Sequence, residues 1–340
     1  MKKTLLITWW LGYIGSHAVV AFEQAGYSTV IVDNLSNSDI KTLEGIQNIL
    51  WYAPDLYQVD LRDTSALEKL FTHYDFDWVL HFAWLKSVSE SCSEPLTYFD
   101  NNIVWSIVLF KMMEKYSVRR IIFSSSATVY NADWFKGDDF DGIWETSSTW
   151  KTTNPYGTTK YLLERILQDL SRFAWFQVMS LRYFNPIGAH ESGYIGENPS
   201  WIPNNLLPYI LKVAWWELEK LTIFWWDYET HDGTWVRDYI DVCDLVTGHL
   251  QAYKVLEKQE HLWYHELCNL GRWVGISVLE LLSIAKQVTH KEIPHIVGQR
   301  RQWDLASVYC DTKKAEKLLW WSADTDPSVS IARSWKFYSW

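Results

Sequence analysis

Thr4-Leu-Leu-Ile-Thr8 opens the stretch that decides the fold, followed by Gly12, Gly15 and Ser28-Thr-Val-Ile-Val-Asp33. The first run is apolar without alternation, the pattern of a parallel strand buried on both faces. Two glycines three residues apart, placed between strand and helix, permit a tight bend. They also let backbone N–H groups approach an anion and let helix pack on strand. The spacing predicts a helix through Phe22 to Gly26 and a second strand ending at Asp33. A carboxylate there, roughly twenty residues past the turn, can accept hydrogen bonds from both hydroxyls of a nucleotide ribose. It repels a 2′-phosphate, which favours NAD over NADP. Taken alone, the turn also fits an ordinary strand–helix junction, and Asp33 also fits a helix cap.

Further strands are predicted at Leu56 to Val59, Trp78 to Ala83, Arg120 to Ser126 and Gln177 to Phe184. Together they describe an α/β fold with a doubly wound parallel sheet of the Rossmann type. From about Asn185 the elements become shorter and more mixed, so a second, smaller mixed α/β domain is expected. The division runs 1–184 for the cofactor-binding domain and 185–340 for the substrate-binding domain.

Tyr156-Gly-Thr-Thr-Lys160 carries the candidate chemistry. A tyrosine and a lysine four residues apart share one helical face. The lysine's charge favours tyrosinate and lowers a pKa that starts near ~10. Such a pair alone is common on solvated helices. What distinguishes this one is Phe123-Ser-Ser-Ser126, a serine cluster closing an apolar strand. In a parallel sheet, that strand end and the next helix open onto one crevice.

These motifs resemble the extended short-chain dehydrogenase/reductase family, and within it the UDP-sugar 4-epimerase branch. The resemblance continues through Gly12-Tyr-Ile-Gly-Ser-His17, Val32-Asp-Asn-Leu-Ser-Asn37, His81-Phe-Ala83, Leu181 to His190, Ile202 to Leu206, Val236 to Ile240 and Arg300-Arg301. It implies Tyr156, Lys160 and Ser126 as the catalytic set. It implies NAD held by Gly12, Tyr13, Ile14, Gly15, Asp33, Asn34, Asp60, Leu61, Phe82, Ala83, Lys86, Asn101 and Phe184, with Tyr156 and Lys160. Ser126, Asn185, Asn205, Leu206, Arg237, Arg301, Asp304 and Val308 would surround the UDP-sugar substrate. The implied reaction interconverts UDP-galactose and UDP-glucose through a transient 4-keto sugar, with NAD retained. Val308 falls where relatives with a large tyrosine tend to exclude N-acetylated sugars, so breadth toward those substrates is expected. A 4,6-dehydratase would need an acid and base beside the serine, and those places hold Ala127 and Thr128. A scaffold impaired in cofactor binding is the alternative of another class. The resemblance also implies a homodimer.

Composition agrees with an acidic enzyme. The net charge of -10 argues against a nucleic-acid surface. Four scattered cysteines (Cys92, Cys243, Cys268, Cys310) read as reduced thiols of a cytoplasmic protein. No metal-ligand spacing, signal peptide or membrane span is expected. One feature is anomalous: 23 tryptophans stand against 15 glycines. Trp9, Trp84, Trp105, Trp201, Trp225, Trp235, Trp273 and Trp303 occupy glycine positions of the family pattern, as do Trp10, Trp216 and Trp320. Glycine serves where φ is positive or backbones approach closely, so indoles there predict strain.

Overall fold

Leu5 and Ile7 pack on one side of their strand and Leu6 on the other, so the first strand is buried on both faces. The computed structural model describes residues 2–8, 11–35, 39–82, 85–131, 141–199, 203, 205–224, 227–299 and 305–339. Its first six strands are β1 (Thr4–Thr8), β2 (Ser28–Asp33), β3 (Asp55–Gln58), β4 (Trp78–His81), β5 (Arg120–Ser126) and β6 (Gln177–Tyr183). Past them come β7 (Asn185–Ile187), β8 (Leu221–Phe224), β9 (Val236–Asp241) and β10 (Tyr264–Leu270). The last three are β11 (Gly275–Ser277), β12 (His295–Gly298) and β13 (Ser307–Val308).

The main sheet runs β10-β6-β5-β4-β1-β2-β3 and is parallel throughout. The chain leaves β1 toward β2 and β3, then returns to place β4 on β1's other side. That reversal opens a crevice beyond the carboxyl ends of β1 and β4, the usual ligand site of such sheets. Helices Tyr13–Gln24 and Val242–Glu257 cover one face through Val19, Phe22, Leu245 and Tyr253. Helices Thr64–His73, Trp105–Lys115 and Pro155–Ala174 cover the other through Leu67, Leu109 and Leu163. Beyond residue 184, β7, β9, β11 and β13 form a small mixed sheet, and β8 pairs with β12. A separate core lies there, built from Leu207, Ile210, Leu211, Tyr239, Leu281 and Ile331. Among the described residues no helix is long and apolar enough to cross a membrane.

The tryptophans divide by backbone. Trp51, Trp175, Trp216, Trp273 and Trp320 have φ between 52° and 67°, the left-handed region that favours glycine. Trp51, Trp175 and Trp320 stop the helices Lys41–Leu50, Pro155–Ala174 and Lys313–Leu319, where glycine is the usual residue. Trp216, Trp273 and Trp320 were anticipated from the pattern; Trp51 and Trp175 were not. Trp105 departs from the expectation of strain, because it is an ordinary residue of its helix, buried and lying under the Arg62 guanidinium. Trp235 likewise has no positive φ. Trp9, Trp10, Trp84, Trp201, Trp225 and Trp303 lie outside the described residues.

Candidate active site

The crevice begins with hydrogen bonds across the switch point. Thr8 at the end of β1 is paired in register with His81 at the end of β4. Thr8 Oγ1 and His81 Nδ1 are 2.8 Å apart, and His81 Nε2 reaches Ser106 Oγ at 2.9 Å. A buried imidazole with both nitrogens engaged thus ties two strands to the helix behind them. Burial holds its pKa down at about 3, with Lys160 acting in the same direction.

Desolvation also lowers His17 to about 3 and His249 to about 4. A folded pKa below the ordinary ~6.5 means that the unfolded chain binds these protons first as pH falls. Their contribution is therefore complete above pH ~6.5 and is lost as pH drops toward 3–4. The buried carboxyls of Glu145, Asp238 and Asp244, raised by desolvation, act in the opposite sense. Each histidine steepens stability against pH by about 1.4 kcal/mol per unit in that window. Urea midpoints from pH 7 to 5 should show this slope, and His249→Gln should flatten it by one proton's worth. An unchanged slope in that variant refutes the assignment.

The catalytic candidates come together at the end of β5. Ser126 closes the strand, and its Oγ accepts from the N–H and the hydroxyl of Thr128 at 3.2 and 3.0 Å. Opposite it begins helix Pro155–Ala174, capped by Asn154, whose Oδ1 accepts from the N–H of Gly157 at 2.8 Å. Gly157 sets how close helix and turn can come, since a Cβ there would lie 2.4 Å from the Thr128 carbonyl oxygen. The close approach sets the half-buried Tyr156 near Ser126, which acts to lower the phenol's pKa. Lys160, fully buried one turn on, donates to the Ser124 carbonyl and lies 5.8 Å from the centre of the Tyr156 ring.

The electrostatics differ from the expectation. Burial pushes the Tyr156 hydroxyl up to about 12, with nearby Ser126 pulling the other way. Burial pushes the Lys160 ammonium well below its usual range, countered by Glu164. Desolvation therefore dominates at Tyr156, and the phenol holds its proton at neutral pH. Behind the site Glu164 accepts two hydrogen bonds from the buried Arg182 guanidinium, at 2.8 and 2.7 Å, and one from Ser125. That network fixes the helix to β5 and β6, and no sequence motif announces it.

On the cofactor side, Gly12 precedes helix Tyr13–Gln24 in extended conformation with no side-chain cap, leaving first-turn N–H groups for an anion. Asp33 is buried and caps no helix; it accepts from the N–H of Leu11 at 2.9 Å and of Leu35 at 2.8 Å. Tyr13 donates to the Gly188 carbonyl at 2.7 Å, Ile14 and Gly15 follow within the helix, and Arg62, with Asn34 assisting, holds the Asp60 carboxyl below its ordinary range. Asp60 also accepts from the Arg62 guanidinium, Leu61 is buried beside it, and the Phe82 ring lies 5.2 Å from His249. An uncapped turn, an acid at the end of the second strand and apolar walls fit a dinucleotide. Asn101 lies in a π-helical turn, Asp100–Val104, and its amide donates to Thr97 within the same helix. Its neighbour Asn102, not anticipated, is buried and bonds both Leu85 in the loop after β4 and Thr159 beside Lys160.

Phe184, expected on the cofactor side, is buried in a cluster with Tyr130 and Ile143, against which Ala127 and the substrate candidate Val308 pack. Val308 pairs in register with Arg237, whose guanidinium donates to the carbonyls of Val236 and Leu305 over the Trp235 ring. Asn185 is half-buried in β7. Asn205, exposed at the start of helix Leu206–Ala214, donates to Glu197, as does Lys86 from the opposite half. Ala83, Arg301 and Asp304 lie outside the described residues. Among the described residues no group of His, Cys, Asp or Glu could hold a metal ion.

Comparison with known proteins fits this geometry. Residues 5–269 match the model of the NAD dependent epimerase/dehydratase family. A UDP-glucose 4-epimerase of Bacillus subtilis is 43% identical, over 98% of this chain and 96% of its own. A UDP-glucose 4-epimerase from Stenotrophomonas maltophila, solved with NAD and formylated UDP-arabinopyranose, superposes with a TM-score of 0.93 at 41% identity, covering 99% of this chain and 98% of that one. One from Bifidobacterium longum, solved with NAD+ and UDP, has the same TM-score, identity and coverage.

Proposed function

The chain belongs to the NAD-dependent epimerase/dehydratase family, and we propose that it interconverts UDP-galactose and UDP-glucose by inverting C4 of the sugar. NAD is its cofactor. The observation that carries the reaction is the convergence of Ser126, at the end of β5, with Tyr156 and Lys160 on the facing helix, which Gly157 lets close onto the Thr128 turn. Oxidised NAD, when bound, supplies the hydride acceptor and a positive charge that favours tyrosinate. Tyr156 takes and returns the proton of the 4-hydroxyl, and Ser126 bridges the phenol to that oxygen. Lys160 stands one turn behind Tyr156, beside its ring, in the place of the lysine that tunes the phenol. Gly12 to Gly15, Asp33, Asn34, Asp60, Leu61, Phe82, Lys86, Asn101 and Phe184 form the cofactor side. Asn185, Asn205, Leu206, Arg237 and Val308 form the sugar-nucleotide side, with Arg237 drawn from its carbonyls to a phosphate. Residues 1–184, joined by β10, then serve NAD, and the remainder of 185–340 serves the UDP-sugar.

Purified chain given UDP-galactose and no added reductant should yield UDP-glucose. A 6-deoxy-4-keto product would instead assign it as a dehydratase, a reading that Ala127 and Thr128 disfavour, because neither is an acid and the Thr128 hydroxyl is committed to Ser126.

Substrate breadth follows from Val308, a small side chain packed beside Phe184. UDP-N-acetylglucosamine should also turn over. Val308→Tyr should cut that activity tenfold or more while sparing UDP-glucose, on the ~1–3 kcal/mol that overpacking costs; equal loss on both substrates removes Val308 from the gate.

A homodimer in the cytoplasm completes the proposal. Leu96, Val104, Leu162 and Phe173 are exposed on neighbouring helices, an apolar surface suited to a second copy. Sedimentation at twice the chain mass supports this, and a monomer at micromolar concentration rejects it. The four free cysteines suit a reducing compartment.

A further inference from the structure

Glu197 lies between β7 and the helix Leu206–Ala214, in the half expected to bind the sugar nucleotide. Its side chain is only 11% exposed, against 55% for Lys86. One carboxylate oxygen, Oε1, accepts from Lys86 Nζ at 3.1 Å and from Asn205 Nδ2 at 2.6 Å. Its backbone carbonyl accepts from the Tyr338 hydroxyl at 3.1 Å, which pins the residue to the C-terminal helix Pro327–Tyr338. Burial, and after it the Glu197 charge, raises the pKa of Tyr13, whose phenol lies at the Gly188 carbonyl, so the carboxylate stands in the neighbourhood of that ring. Lys86 and Asn205 come from opposite halves of the molecule and share this single acceptor.

We propose that Glu197 is a positioning residue for both half-sites: its charge restrains Lys86 from the cofactor's diphosphate, and its oxygen orients Asn205 toward the sugar nucleotide. The proposal rests on the assignment of Lys86 to the cofactor and Asn205 to the UDP-sugar. An ammonium cannot serve a carboxylate and a diphosphate fully at once, and both anions gain from it in a partly dry crevice. Cofactor binding must therefore draw Lys86 off Glu197. The pair is half-exposed, so the competition is worth only the few-fold effect typical of such ion pairs. The Asn205 bond is neutral on the donor side and needs only an oxygen at position 197, which glutamine also provides.

The test separates charge from geometry. Exchange of bound NAD for isotope-labelled NAD would be timed in the holoenzyme and in Glu197→Gln, Lys86→Met and the double variant. Glu197→Gln should slow exchange about three- to fivefold, on the scale of a half-exposed ion pair. Lys86→Met should hasten it, and the double variant should match Lys86→Met, because without the ammonium there is nothing to restrain. Unchanged exchange in Glu197→Gln overturns the restraint. So does an equal slowing in both backgrounds, which would show the charge acting on the ligand directly. If Lys86→Met alone has no effect, the assignment of Lys86 fails, and the restraint with it. UDP affinity, measured by calorimetry, reads the other half. Glu197→Gln should keep it, while Glu197→Ala should weaken it about fivefold, the worth of one hydrogen bond. Equal affinities in the two variants refute the orienting role.

Discussion

Tyr156→Phe should lose ~10²-fold or more in turnover, the usual contribution of a positioned acid/base, while the fold stays intact. The ring loses one oxygen and keeps its packing. Ser126 keeps the two hydrogen bonds it accepts from Thr128, so no buried partner is orphaned. The contact between Lys160 and the aromatic face is also preserved. Stability should thus stay within about 1 kcal/mol of the parent, and bound NAD should be retained at the parent stoichiometry. What disappears is the phenol beside Ser126, the group proposed to carry the proton. The loss should fall on kcat, because the phenol is asked to act only as the 4-hydroxyl gains or loses its proton. A variant with more than a tenth of parental turnover would remove Tyr156 from the mechanism.

That expectation was legible in the sequence; its electrostatic basis was not. Spacing placed Tyr156 and Lys160 on one helical face and the serine cluster at a strand end. It could not show that both groups are desolvated, which moves each pKa against its charged form. Gly157 sits in full view inside the motif, yet its role is a distance to Thr128, across nearly thirty residues of chain. Asn102, the buried neighbour of Asn101, carries no motif signal either, yet it bonds Leu85 in the loop after β4 and Thr159. Glu197 lies in a segment without periodicity, where no pattern separates a surface acid from a shared acceptor. The edge strand β10 was missed for a related reason. Tyr264-His-Glu-Leu-Cys-Asn-Leu270 mixes polar and apolar residues, and only pairing with β6 makes it part of the main sheet. The βαβ start of the chain was readable because each signal there is local: the unalternating strand, the glycine turn and the acid after the second strand.

Substituting glycine for Trp51, Trp175, Trp216 and Trp320 together should stabilise the chain by ~2–4 kcal/mol. Each has φ between 52° and 67°, which costs an L-residue roughly 1–2 kcal/mol. Glycine removes that cost but adds about 0.5–1 kcal/mol of freedom to the unfolded chain, leaving a net gain of ~0.5–1 kcal/mol per site. Little packing is given up, because the four side chains are 90%, 59%, 71% and 88% exposed. They follow four different helices, so their effects should add. Trp273 is left out of the set: its indole N–H donates to the Asp141 carbonyl at 3.0 Å, and its ring lies under Lys313 at 4.3 Å. Those contacts offset relief of its backbone, whose N–H also feeds the buried Asp238 carboxylate. Trp78 supplies the contrast. It is fully buried in β4 with its ring 4.2 Å from that of Tyr253 and under the Arg120 guanidinium. Trp78→Gly should cost ~3–5 kcal/mol or more, because it leaves a cavity at the centre of the main core. Urea midpoints of the two variants should therefore move in opposite directions from the parent. A fourfold variant no more stable than the parent would mean that the left-handed indoles carry no strain, and that the glycine-like reading of these helix ends is wrong.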